Sequence, residues 1–196
     1  MRIGVDFDGV ILDSERYLKF RGEIYNTFVI KKKGPIDKHQ FYNEDKFGWK
    51  KEETERFLQT EWVLATQEAN FIYGAKDILT LLKNEGHQII LITNRGFLGD
   101  YELHEAKKRL EEFNFPFDKM YFNPKSKLEV CIDEKIDIMI DDNTYNCKSI
   151  SEYGIFTLFF RDKNMPKLPE GEHIRDVSNW GEIHREIVDY IERKDN

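Results

Sequence analysis

Short apolar blocks with polar ends recur along the chain. The first, residues 2–7, ends among the carboxylates of Asp6 and Asp8. Residues 87–92 close on Thr93-Asn94-Arg95-Gly96, and residues 136–140 close on Asp141-Asp142-Asn143. Residues 119–122 and 155–160 are two further blocks. Runs of this kind read as strands covered on both faces. Between them the apolar period lengthens to that of a helix. Residues 75–85 gather Ile78, Leu79, Leu81 and Leu82 on one side, and Gly86 is a natural stop. Residues 100–113 are charged and amphipathic, and 126–135 and 144–153 give shorter helices. Residues 180–193 repeat Ile183, Ile187, Val188 and Ile191 in helical register. Alternating strands and helices predict an α/β fold, a Rossmann-like parallel sheet with helices on both faces.

One stretch breaks the alternation. The first strand and the helix at Ala75 are separated by a segment too long to be a loop in a compact domain. It holds helical patterns over 14–30 and 51–67, divided by the breaker Lys31-Lys32-Lys33-Gly34-Pro35. The expected organisation is therefore a core of residues 1–13 and 74–196 with a helical cap, 14–73, inserted above the sheet. The three lysines read as a solvated loop.

Composition narrows the class. The 196 residues are 40% hydrophobic and 14% aromatic, which is enough for a real core and unlike a disordered chain. The formal charge of −7 argues against a polynucleotide partner. Two cysteines, Cys131 and Cys147, are expected as buried thiols. No export segment is visible, and no apolar stretch approaches the roughly 20 residues of a membrane span. The expectation is a cytoplasmic protein with no membrane partner.

Ligands of open parallel sheets bind beyond the carboxyl ends of the strands. Four predicted strand ends carry polar groups: Asp6 and Asp8, Thr93 and Asn94, Lys125 and Lys127, Asp141 and Asp142. Each alone is weak, since an aspartate pair can be a surface turn or a helix cap. Together they make one acidic cleft, and crowded carboxylates favour a hard divalent cation such as Mg2+. A cation, an ammonium and a hydroxyl make a receptor for a phosphoryl group. One carboxylate can then attack phosphorus while a second moves the proton. Phe7, between the two acids, should point the other way into packing.

The ordered set Asp6-Phe7-Asp8-Gly9-Val10, Thr93, a lysine and Asp141-Asp142 resembles the haloacid dehalogenase superfamily of phosphatases over residues 2 to about 160. The resemblance implies that Asp6 is the nucleophile and Asp8 the general acid/base. It implies that Thr93, Asn94 and the lysine, taken as Lys127 rather than Lys125, hold the phosphoryl oxygens. It implies Mg2+ held by Asp6, the Asp8 main-chain carbonyl and Asp142, with Asp141 supporting from behind. The cap position corresponds to a type-one cap. Asp-Gly-Val after the nucleophile, Lys127-Leu128-Glu129-Val130-Cys131 and the late Val177-Ser178-Asn179-Trp180 are similar to the 5′(3′)-deoxyribonucleotidases and their bacterial relatives.

A nucleotidase needs rings to stack on a base. The segment supplies Phe41, Tyr42, Phe47, Trp49, Phe57, Trp62, Phe71 and Tyr73. Phe47 and Trp49, beside Gly48, are the candidates to face substrate, and Arg95 is a further candidate contact. The expected partner is a small phosphomonoester, with a nucleotide first and a sugar phosphate as the alternative; the sequence leaves the oligomeric state open, a homodimer included. A phosphoacceptor switch domain is the rival from another class. Asp8 and the cap argue against it.

Overall fold

The computed structural model describes residues 1–196 except 34, 35, 38–41, 97, 98, 162–166, 169, 170 and 196. Six strands form one parallel sheet: β1 (Arg2–Val5), β2 (Gln88–Thr93), β3 (Lys119–Phe122), β4 (Ile138–Asp141), β5 (Phe156–Phe160) and β6 (Ile174–Val177). Their spatial order is β3-β2-β1-β4-β5-β6, and every adjacent pair is parallel. The chain leaves β1 toward β2 and β3, then returns to place β4 on the other side of β1. The order therefore reverses between β1 and β4, where a crevice opens beyond the strand ends.

Period-2 alternation sends neighbouring residues to opposite faces. Ile89 and Leu91 of β2, with Ile138 and Ile140 of β4, join the larger core. Helices α4 (Ala75–Asn84), α5 (Asp100–Glu112) and α8 (Trp180–Asp195) add Leu79, Leu82, Leu110, Ile183 and Ile187 to it. The intervening Ile90, Ile92 and Met139 pack with Cys131 of α6 (Lys127–Asp133) and Ile150 of α7 (Thr144–Glu152). Each fully buried aliphatic side chain contributes about 1.5–3 kcal/mol. Both cysteines are free and buried, as composition suggested.

Between β1 and α4 lie α1 (Ser14–Tyr25), which runs on as a wider π-helical turn to Ile30, α2 (Asn43–Phe47) and α3 (Lys51–Glu68). They build a separate apolar cluster around Leu18, Tyr25, Phe47, Trp49, Phe57 and Ala65. A forked ion pair ties α1 to α3, with Arg21 Nε 2.6 Å from Glu61 Oε2. The entry and exit of this segment run side by side. Asp13 N–H donates to the Asn70 carbonyl and Ile72 N–H to the Ile11 carbonyl, each at 2.8 Å.

Two elements were not read from the sequence, β6 and α2. The breaker residues Gly34 and Pro35, and Phe41, lie outside the described residues. Lys31, Lys32 and Lys33 are exposed, as expected of a solvated loop, and the Lys32 ammonium reaches the Gly48 carbonyl. Among the described residues, no helix is long and apolar enough to cross a membrane.

Candidate active site

Val5 ends β1, and the chain then turns tightly. The Ile11 and Leu12 amides both donate to the Phe7 carbonyl at 2.9 Å, and Trp180 Nε1 donates to the Val10 carbonyl at 2.9 Å. Phe7, Val10, Ile11 and Leu12 are completely buried. This packing turns the loop into a rigid mount for Asp6 and Asp8, and Phe7 points into the core as the alternation predicts. Gly9 sits at φ +68°, in the left-handed region open to glycine. A Cβ there would come within 2.0 Å of Asp142 Oδ2, so the absent side chain is what lets the Asp142 carboxylate lie over the loop.

The strand ends meet. Lys127 Nζ lies 2.8 Å from Asp6 Oδ2 and 2.8 Å from Asp141 Oδ2, and Lys127, Asp6 and Asp141 are all buried. The other Asp6 oxygen, Oδ1, accepts the Phe7 amide at 2.7 Å. Asp141 also accepts the Asn143 amide at 2.8 Å and the Asn146 side-chain amide. Its oxygens are thus occupied by protein donors. Among the described residues no hydrogen bond reaches the Asp142 carboxylate. Thr93, at the end of β2, is buried, and its hydroxyl accepts the Arg95 amide at 3.2 Å. Lys125 is exposed in the loop before α6 and borders the same cleft, as does Asn94. Of the two candidate lysines, Lys127 is the one that touches the acids.

The electrostatics follow from crowding. Burial first, and then Asp141, push the Asp6 carboxyl up to about 7 against the opposing pull of Lys127. Burial, Asp6 and Asp141 raise the Asp142 carboxyl well above its ordinary value. Burial would lower the Lys127 ammonium, but Asp141 and Asp6 outweigh it and hold it above the usual lysine range. Oxygen atoms of Asp6, Asp141 and Asp142 lie within 4.8 Å of one another. An all-oxygen donor set with surplus negative charge and an uncommitted carboxylate on Asp142 fits a hard divalent cation.

Arg95 borders the cleft, and it is buried. Its side chain is completely shielded from solvent and forked onto Asp8, with Nε 2.8 Å from Oδ2 and Nη2 2.6 Å from Oδ1. Phe47 and Trp49 fall away from the cleft. Both are buried in the cluster of α1–α3, where Trp49 packs on Tyr25, Phe47 and Phe57 at centroid distances of 5.5, 5.4 and 5.0 Å. Trp49 Nε1 is bonded to Asn26 Oδ1 at 2.9 Å, so its polar edge is occupied as well. A unit this small needs its largest rings for its own core.

The cleft above the strand ends has a volume of about 760 Å³, and among the described residues the rings on its wall are Tyr42, Trp62 and Tyr145. Glu15, in the first turn of α1, lines it too. Burial pushes the Glu15 carboxyl up to about 7; Lys19 opposes the shift, and Asp8 adds to it. A glutamate in a helix first turn reads in sequence as a dipole partner, which hides such a role.

No protein-family model and no curated protein matches the chain. Solved structures do. A haloacid dehalogenase-like family hydrolase from Streptococcus pneumoniae superposes with a TM-score of 0.65 at 18% identity, over 97% of both chains. A haloacid dehalogenase-like family hydrolase from Xanthomonas campestris gives 0.63 at 11% identity, over 95% of this chain and 94% of that one. A dehalogenase crystallised with an intermediate complex gives 0.55 at 14% identity, over 93% and 94%. The chain therefore has the fold of the haloacid dehalogenase-like hydrolases, a six-stranded parallel sheet with an acidic cleft at its strand ends.

Proposed function

We propose that this protein is a Mg2+-dependent phosphomonoester hydrolase that works through a phosphoaspartate on Asp6. The observation that carries the proposal is the convergence of Asp6, Thr93, Lys127, Asp141 and Asp142 from the ends of β1, β2, β4 and the start of α6 onto one crevice. Each residue then has a role. Thr93, the Asn94 amide and Lys127 hold phosphoryl oxygens. An Asp6 carboxylate oxygen attacks phosphorus as the bond to the leaving oxygen breaks. Asp8 gives that oxygen a proton. Water then attacks phosphorus, passes a proton to Asp8, and releases Asp6 and inorganic phosphate.

The Asp6 carboxylate, the Asp8 main-chain carbonyl and the Asp142 carboxylate would hold the cation, with Asp141 fixing Lys127 beside them. When bound, Mg2+ supplies positive charge to the phosphoryl oxygens. Helices α1–α3 act as the cap over residues 14–73 and select the substrate. Tyr42, Trp62 and Tyr145 are surfaces for a nucleoside base, and a 5′-nucleotide is the first substrate class. Glu15 favours a second reading in the same chemistry, since a carboxylate on the wall accepts hydrogen bonds from the hydroxyls of a sugar phosphate.

The test is phosphate release with Mg2+ from a panel of nucleoside monophosphates, sugar phosphates and a haloacid. Release from phosphomonoesters supports the proposal, and halide release with no phosphate release contradicts it. Preference for nucleotides over sugar phosphates decides between the two substrate classes.

A further inference from the structure

We infer that Arg95 is a positioning residue for Asp8 that ties the acid/base to the cap helix α3. The inference rests on the phosphatase reading above and assigns a role to the buried cation beside the cleft. Three observations carry it. First, the guanidinium grips Asp8 with both Nε and Nη2, at 2.8 and 2.6 Å, a planar fork that fixes the rotation of the carboxylate as a single bond could not. Second, its remaining arm, Nη1, donates to the hydroxyl of Thr66 on α3, and that hydroxyl donates to the Trp62 carbonyl at 3.0 Å. Third, the guanidinium carbon lies 5.0 Å from the Phe7 ring centroid and 5.3 Å from that of Trp62. One cation thus bridges the loop carrying both catalytic acids and the helix that roofs them.

The side chain has no solvent exposure, and the Asp8 carboxyl, the Thr66 hydroxyl and the faces of Phe7 and Trp62 together replace its hydration. Asp8 keeps 16% of its side-chain surface open toward the cleft. Each carboxylate oxygen has a second lone pair, on which Asp8 can carry the proton that it gives to the leaving group and take up the one that it receives from water while the fork persists. A displacement of α3 would pull on Thr66 and Trp62, and so on Asp8. The position of the cap is in this way read by the acid/base.

The role predicts a signature that simple loss of structure lacks. Proton donation matters for an alcohol leaving group and hardly at all for an acidic phenol. The readout is kcat/KM, which covers the steps up to departure of the leaving group, for an alkyl phosphomonoester and for p-nitrophenyl phosphate. For Arg95→Met we expect kcat/KM to fall about a hundredfold on the alkyl ester and less than tenfold on the aryl ester. The aryl ester should also give a burst of phenol equal to the enzyme, because water activation by Asp8 is slowed. Arg95→Lys should recover part of the alkyl activity, and Thr66→Val should give a smaller loss with the same alkyl bias. Equal losses on both esters, or none, would overturn the inference while leaving the phosphatase reading intact. A wild type that releases phosphate from neither ester would overturn that reading instead. The pair is checked separately by thermal unfolding. Asp8→Asn and Arg95→Met should be less than additive in the double variant, and strict additivity contradicts the coupling.

Discussion

Lys127 holds Asp6 at 2.8 Å, from a position five residues after the end of β3 and at the first residue of α6. The contact joins two stretches far apart in sequence, and Asp141 closes it from β4 at the same distance. One ammonium therefore links two carboxylates that would otherwise face each other without compensation.

Lys127→Met should both destabilise the protein and abolish turnover. Removing one partner from a buried ionic cluster costs about 3–5 kcal/mol, because the remaining charges stay buried. Denaturant unfolding without added metal reads the first effect. Phosphate release with saturating Mg2+ reads the second. Lys125→Met should change neither by a comparable amount, since that side chain is exposed.

The carboxyls raised by burial give the metal-free protein a pH signature. Asp6 and Glu15 are pushed up to about 7, from ordinary values of 3.8 and 4.5, and Asp142 is raised as well. Their folded forms hold protons that the unfolded chain has lost. The folded state therefore loses stability from these groups as pH rises from about 4 to about 7, and the loss is complete above that range. A cation among Asp6, Asp8 and Asp142 offsets the repulsion only where the acids are ionised. The rise in thermal midpoint on adding Mg2+ should therefore be larger at pH 7.5 than at pH 5. An equal or reversed effect would show that the cation does not bind at these acids.

The rings of α1–α3 divide into two groups with opposite expectations. Trp49→Ala should cost about 3–5 kcal/mol of stability, as truncation of a buried core aromatic does. Tyr42→Ala should leave the thermal midpoint nearly unchanged, because the ring is 45% exposed. If a base stacks on it, KM for a nucleoside monophosphate should rise by the equivalent of about 1–3 kcal/mol. Steady-state kinetics beside thermal unfolding separates the two.

The sequence makes the strands legible where both faces are buried, as in Gln-Ile-Ile-Leu-Ile-Thr of β2. Strand β6 escaped because it lies at the sheet edge and reads Ile174-Arg175-Asp176-Val177, with charges where a central strand has aliphatics. The acids of β1 and β4 could be placed together because strand ends in a parallel sheet share one side. What could not be read is how side chains pair across long separations. Arg95 and Asp8 are 87 residues apart, and nothing local marks them as partners. Gly48 made Phe47 and Trp49 look like loop residues. Their burial arises from three helices packing together, a property of the assembled segment and not of the local pattern.

The central claim is a covalent phosphoryl group on Asp6. Rapid acid quench of wild-type enzyme mixed with a phosphomonoester and Mg2+, followed by peptide mass analysis, tests it directly. A mass increase of one phosphoryl group on the peptide containing Asp6, absent in Asp6→Asn together with turnover, is the result expected. A phosphoryl group found on another residue, or full turnover by Asp6→Asn, would contradict it.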